Sequence, residues 1–451
     1  MKICVINGSP RGEYSVTLHS LLYLQKINLN HSFEFLNVGL QIKKYEKDFS
    51  EAEKKLTEAD FLIFSFPVYT FIAPSQLHRF IELIKENNLN LKDKFVSLVT
   101  TSKHFYDVTA HNYIEDNCLD LGMKFVKGLS QDMEDLTKEE GRNDLIKFFK
   151  YLEYSYDNDI YEKRIINQPK FIEYNYQKQD IDNIKDTSKK AVIICDLNKN
   201  DENYQSLQNM IDHFIDLFKY QVEVVNLRDF PFKGGCLGCF NCAGDGKCIY
   251  KDNFDEFLRN HIQVNDAIII AFNIKDHSMG SLFKMYDDRQ FCNGHRTVTE
   301  GLPFGYIING DYESESNLKM IVEGRAEVGH NFLAGVGSDA ETIKMMVERL
   351  EYAIENKYVQ PRNFYGVGGM KIFRDLIWIM RGLMKADHKF YKKHKIYDFP
   401  QKQRGKMMLM CFLGAMVRNK KIKAKMGNKF NEGMVAPYKK VLKKLDKNKK
   451  G

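Results

Sequence analysis

Four cysteines crowd into one short run, GGCLGCFNCAGDGKC, which places Cys236, Cys239, Cys242 and Cys248 at C-x2-C-x2-C-x5-C spacing. Thiols this close together on a glycine-bearing loop can converge on one face of a cubane while the fourth closes the site, and a [4Fe–4S] cluster fits best. Zinc is the alternative, although its sites usually split the ligands into two pairs separated by a longer stretch. Four metal-free thiols, or a thiol–disulfide switch, are a third reading. Cys4, Cys118, Cys195, Cys292 and Cys411 lie far apart. Scattered thiols plus one cofactor site suit a reducing compartment.

A second constellation is NGSPRGEYSVT, Asn7 to Thr17, set between the apolar run KICVI and a helical stretch. Gly8 permits a tight turn, backbone N–H groups and the hydroxyls of Ser9, Ser15 and Thr17 can surround a phosphate, and Arg11 supplies charge. The loop has neither the GxGxxG spacing of a dinucleotide fold nor the GxxxxGK of an NTPase loop. A mononucleotide phosphate is the natural ligand, and an ordinary capped turn is the plain alternative.

These loops need elements to position them. KICVI, FEFLNV, FLIFSF and FVSLVT read as strands, with EAEKKLTEA and LHRFIELI as helices between them. Strands alternating with helices imply a parallel sheet covered on both faces. A polar stretch near residues 155–188 reads as a linker or surface excursion, after which the alternation restarts with AVIICD, QSLQNMIDHFIDLF, VEVVNL, AIIIAF and LPFGYIING. IFSFPVYTFIAPSQLHRFIE lies over IIAFNIKDHSMGSLFKMYDD at a constant offset of 206, matching Ser75 with Ser281 and Glu82 with Asp288. A repeat of this length suggests duplication and an internal pseudo-dimer.

GSPR with Ser and Thr downstream, followed by SFPVY after the third strand, resembles the NADPH-dependent FMN reductase family of flavodoxin-fold proteins. The resemblance covers the first half and, with the repeat, gives α/β architecture with two flavodoxin-like, doubly wound parallel-sheet domains at 1–175 and 188–355. The basic composition and helical spacing after residue 355 give a mainly helical extension at 356–451. The resemblance also implies FMN, its phosphate on Ser9, Arg11, Ser15 and Thr17 and its ring against Pro67, Val68, Tyr69 and Thr70, with NAD(P)H as co-substrate. Ligands in such sheets sit beyond the carboxyl ends of the strands, so Thr101, Ser102 and His104 can reach the flavin edge. Tyr69 and His104 are the candidate catalytic residues, with His111 an alternative proton donor; either histidine can also be an ordinary surface or core residue. The cysteine run is similar to the compact motif of iron-sulfur flavoproteins. Here it belongs to the second half, whose own first loop, DLNKNDENYQ, lacks glycine and any basic residue near its start, so FMN is not expected there. The first half offers GLQIKKYEKD, without cysteine, at the equivalent place. Each half keeps what the other has dropped, which fits one FMN and one cluster facing each other across the internal interface.

The length of 451 residues implies two or three domains, and 43% apolar with 28% charged residues fits a globular protein. The N-terminus shows no signal-peptide pattern, and the run Met407 to Val417 is too short to span a bilayer and reads as a buried helix. A cytoplasmic protein is expected. Net charge is +7, yet residues 361–451 carry 25 Lys and Arg against 5 Asp and Glu. Such a tail is a solvated helical surface, or it attracts nucleic acid, an anionic membrane or an acidic protein. The amphipathic KIFRDLIWIMRGLMKADHKFYKKH is expected to lie across the two halves, and the glycine-bearing NFYGVGGM and IVEGRAEVGHNFLAGVGSD are candidates for a substrate or nicotinamide edge or are plain caps and turns. Two activities follow: an NAD(P)H oxidoreductase passing electrons to the cluster or a small acceptor, or an electron carrier reduced by a ferredoxin-like donor. A regulator using the redox site as a sensor is the third.

Overall fold

The central strands, KICVIN, FLIFSFP, FVSLVTTS and AIIIAFN, are near-continuous runs of buried, mostly apolar residues, as a parallel sheet sandwiched between helices requires. The computed structural model describes residues 1–164, 171, 173–177, 185–421 and 432–443. The first sheet holds β1 (Lys2–Asn7), β2 (Ser32–Leu36), β3 (Phe61–Pro67), β4 (Phe95–Ser102), β5 (Lys124–Phe125) and β6 (Leu129–Asp132). Its order is β2-β1-β3-β4-β5, with β6 also pairing β4, and all pairs are parallel. The second holds β7 (Asp186–Cys195), β8 (Tyr220–Asn226), β9 (Ala267–Asn273), β10 (Pro303–Asn309) and β11 (Phe332–Gly337). Read from β8, its order is β8-β7-β9-β10-β11, again parallel. Both sheets therefore reverse direction between their first and third strands, the switch point at which such folds bind ligands.

The helices of the first half are α1 (Val16–Ile27), α2 (Val38–Tyr45), α3 (Ser50–Glu58), α4 (Ser75–Glu86), α5 (Asp107–Asp120) and α6 (Glu139–Asp157). Those of the second are α7 (Tyr204–Leu217), the single turn α8 (Phe254–Phe257), α9 (Gly280–Arg289), α10 (Ser316–Gly329) and α11 (Ala340–Asn356). Helices α12 (Phe364–Ile379), α13 (Lys385–Lys393) and α14 (Arg404–Arg418) follow. Each half has its own core. Ile3, Val5, Leu21, Ile63 and Val99 meet Leu145 and Phe149 of α6 in the first, and Ile193, Ile211, Phe214 and Ile269 meet Met346 and Leu350 of α11 in the second.

The halves meet through α4 and α9, and the contact is reciprocal. The Ser75 N–H donates to Asp288 Oδ2 at 2.8 Å, and the Ser281 N–H donates to Glu82 Oε1 at 2.7 Å. A carboxylate near the C-terminus of each helix thus satisfies an otherwise orphan N–H at the start of the other. The loop preceding each helix is also built twice. Tyr69 and Ile72 exchange backbone hydrogen bonds around Thr70 and Phe71, as Lys275 and Ser278 do around Asp276 and His277. All four central residues have positive φ, between 41° and 73°, the geometry of a tight two-residue turn.

Two bodies emerge, Met1–Tyr391 and Lys392–Gly451. Helix α12 packs on α10 and Phe105, where Gly366 and Gly369 allow a close approach; a side chain at either would overlap Glu327 or Phe105 and Val328. NFYGVGGM is therefore the first turns of a packed helix. The amphipathic stretch is two helices, α12 and α13, rather than one. Part of the stretch read as a linker, residues 165–170, 172 and 178–184, lies outside the described residues. Its described part docks on α7, where the Tyr174 N–H donates to Ser206 Oγ at 2.9 Å and the Tyr176 hydroxyl to Asp216 at 2.8 Å.

In the second body the reading of Met407 to Val417 as a buried helix is overturned: Met407, Met408, Leu409, Met410 and Phe412 of α14 are all exposed. A short, strongly basic segment has too little apolar partner surface to enclose such a helix. No described helix is long and apolar enough to cross a membrane.

Candidate cofactor site

The carboxyl ends of β1, β3 and β4 open into a cavity of about 480 Å³. Ser9, Arg11 and Ser15 line it from the first loop, Pro67, Val68, Tyr69 and Thr70 from the turn after β3, and Thr101 and Ser102 from the end of β4. Cys236, Cys239, Cys242 and Cys248 line the same cavity from the second half.

The first loop is held tightly. The Gly8 N–H donates to Ser65 O at 2.9 Å, and the Asn7 side chain donates to Gly12 O at 3.1 Å. Gly39 packs so close to the Ser9 backbone that any side chain there would overlap it. Ser15 caps α1 by accepting from the Leu18 N–H at 3.3 Å. Arg11 and the two serines therefore stand at the positive end of a helix, an arrangement that attracts a phosphate. Thr17 differs from expectation: its hydroxyl turns inward to the Thr101 hydroxyl at 2.6 Å and is not part of the cavity lining. It joins α1 to β4.

The turn after β3 carries the contact between the halves. Lys284 of α9, fully buried, donates to Tyr69 O at 3.0 Å and pairs with the equally buried Asp288. Arg325 of α10 donates to Thr70 O at 3.2 Å, pairs with Asp287 and lies 4.9 Å over the Phe71 ring. Burial pushes the Asp288 carboxyl up, and Lys284 opposes that. The Tyr69 hydroxyl reaches the cysteine loop at Gly238, whose φ of +60° and lack of a side chain leave it room. Burial and the neighbouring Cys236 push that hydroxyl well above the usual tyrosine range.

The cysteine loop rests on both halves. Gln76 of α4 donates to Cys236 O at 3.2 Å, Lys43 of α2 to Lys233 O at 2.9 Å, and Arg289 of α9 to Gly234 O at 2.9 Å. Arg289 is itself clamped by Asp252 at 2.7 and 2.9 Å and sandwiched between Tyr250 and Phe254. Cys236 Sγ accepts from the Gly238 N–H at 3.5 Å, and the Cys242 thiol donates to Phe291 O at 3.2 Å. Burial first, and the neighbouring thiols with it, raises Cys242 to about 11. A reactive disulfide-exchange cysteine is lowered instead. Among the described residues no three His, Cys, Asp or Glu side chains converge closely enough to hold a single metal ion.

The histidines lie elsewhere. His104 is exposed, its Nδ1 2.8 Å from Asp107, and His111 bonds Thr100 Oγ1 at 2.8 Å; neither lines the cavity. Burial lowers His111 to about 4, with Asp107 opposing. In the second half Asp196, just past β7, pairs with Arg228 at 2.7 Å and Asp201 accepts from Asn273 at 3.3 Å, so carboxylates occupy the loop where a phosphate would sit. The lining also includes Phe291 and His295, which no sequence motif flagged, and Ile372, Leu376, Met380 and Asp387 of the amphipathic stretch expected to lie across the two halves.

Residues 1–129 match the model of the NADPH-dependent FMN reductase family. An iron-sulfur flavoprotein of Clostridioides difficile (strain 630) is 35% identical over 54 residues, which are 12% of this chain and 24% of that protein. The chain thus spans about a quarter of the length of the curated relative that it matches. Among solved structures, general stress protein 14 of Treponema denticola in complex with FMN shares 12% identity, covering 34% of this chain and 99% of that one at a TM-score of 0.28. The NAD(P)H:quinone oxidoreductase of Methanothermobacter marburgensis shares 11%, covering 37% and 98%, at 0.28.

Proposed function

We propose that this chain is an FMN-dependent NAD(P)H oxidoreductase that passes electrons to an iron–sulfur cluster or a small acceptor. The observation that carries this is a single cavity lined by the phosphate loop and ring turn of one half and by all four clustered cysteines of the other.

The residues present fit both groups. Ser9, Arg11 and Ser15 at the start of α1 would hold the FMN phosphate, with Pro67, Val68, Tyr69, Thr70, Thr101 and Ser102 around the ring. Cys236, Cys239, Cys242 and Cys248 would hold a [4Fe–4S] cluster. A cubane takes one thiolate per iron rather than four around one ion, so it asks less convergence of the side chains than zinc does. When bound, FMN supplies hydride acceptance from a nicotinamide and one-electron transfer, and a cluster supplies one-electron storage.

The chain's own part is to bind, align and keep water out. Lys284 and Arg325 grip the backbone of Tyr69 and Thr70, so the turn on which the ring would rest is set by the second half. Tyr69 bridges that turn and the cysteine loop, its hydroxyl lying against Gly238. Helix α12 covers the far side with apolar side chains.

The test is to count iron, acid-labile sulfide and flavin in anaerobically purified protein and to mix it with NADPH or NADH in a stopped-flow spectrometer. About four irons per flavin and rapid bleaching are expected; stoichiometric flavin without iron defeats the cluster, and no flavin uptake defeats the whole reading. The basic C-terminal region, 25 Lys and Arg against 5 acids over 361–451, favours a second reading, a carrier docked on an acidic ferredoxin-like donor. No bleaching by either nucleotide, with ready reduction by ferredoxin, would select it.

A further inference from the structure

The far wall of the cavity holds a carboxylate with nothing to bond. Asp387, in the first turn of α13, is 1% exposed and lines the cavity, yet neither of its oxygens has a hydrogen-bond partner among the described residues. His295 Nδ1 stands 3.6 Å away and Arg296 Nε 3.7 Å, close enough to balance its charge and too far to satisfy its lone pairs. His295 Nδ1 is likewise unbonded.

The placement is built in. Gly294 has a φ of +61°, and a side chain there would overlap the Asp387 carboxylate, so the turn after α9 is shaped around it. The Tyr391 hydroxyl donates to His295 O at 2.9 Å and ties α13 to that turn. One adjoining wall is apolar: Phe373 meets the His295 ring edge-on at 4.6 Å, and Leu376, Met380 and Met384 line it.

The geometry points to a second subsite in this cavity, centred on Asp387 and His295, for an apolar, ring-sized molecule carrying one neutral N–H or O–H donor. A buried carboxylate without hydrogen bonds is costly and strongly favours a ligand that supplies one. The donor is neutral because Arg296 already compensates the charge and would repel a second cation. An apolar body matches the wall of Leu376, Met380 and Met384. The inference rests on the reading of the cavity as a redox chamber only in giving the subsite a role, that of holding the acceptor.

The experiment is calorimetric titration of the full, flavin-loaded chain with 2-naphthol and with 2-methoxynaphthalene, in which a methyl group replaces the donor hydrogen. Binding of naphthol at least about tenfold tighter than the ether is expected, with the ratio falling to about twofold or less in Asp387→Ala. Equal affinities in the unaltered protein, no binding of either probe, or a preference that persists in the variant would each overturn the subsite. The wild-type comparison decides by itself if Asp387→Ala does not fold. A preparation that takes up no flavin defeats the oxidoreductase reading, whereas lost discrimination in flavin-loaded protein defeats the subsite alone.

Discussion

His277 sits in the second of the two matching turns, 3% exposed, with Nε2 2.9 Å from Asp120 and Nδ1 2.9 Å from Glu315. It joins the halves, since Asp120 belongs to α5 and Glu315 precedes α10. Burial alone would discharge the ring, but hydrogen bonds to the two carboxylates prevail and raise it from 6.5 to about 9. Because the folded value lies above the unfolded one, the stabilisation is full below about pH 6.5 and is lost as pH rises through about 9. Relative to a neutral imidazole the rise is worth about 3 kcal/mol at its ceiling, of which roughly 2.5 remains at pH 7 and about 0.4 at pH 9. His277→Asn removes the charge while tolerating the left-handed backbone, φ +60°. Urea unfolding of both proteins at pH 6, 7, 8 and 9.5 reads the difference. The wild type should be the more stable by about 2–3 kcal/mol near neutrality, and the gap should narrow steadily from about pH 6.5 upward. A gap that stays constant, or widens with pH, would refute the reasoning.

Gly238→Ala forces a side chain into the Tyr69 hydroxyl at a residue with φ of +60°; it should cost about 1–2 kcal/mol from the backbone alone and lower iron incorporation, and Tyr69→Phe in the same chain should restore part of it. Lys284→Met leaves Asp288 buried without its cation and should destabilise the fold by about 3–5 kcal/mol in denaturant titration, more than the double replacement with Asp288→Leu. Arg11→Ala should weaken FMN by about tenfold or more while leaving riboflavin affinity nearly unchanged, read by flavin fluorescence; equal losses for both flavins would contradict a phosphate contact.

Much of this protein is written locally. Alternating apolar runs and helical periods mark the strands, because a strand buried on both faces has no choice but to be apolar throughout. The phosphate loop is recognisable from its place between β1 and α1, and the cysteine run from spacing alone. Even the reciprocal contact was foreshadowed by the offset that lays Ser75 on Ser281 and Glu82 on Asp288. What no local pattern carries is direction. Thr17 belongs to the loop by sequence but turns to Thr101 on β4, His104 leans out to Asp107, and α14 lies exposed despite its composition. Nor does any motif announce that Asp387 would reach the turn after α9, or that Lys284 would hold the backbone of Tyr69. Those contacts join residues 92 and 215 positions apart, and they exist only once two sheets and three further helix faces have packed. Residue order determined the loops and the strands that carry them; the meeting of the halves decided which side chains share a cavity, since burial and charge pairing are properties of neighbours in space.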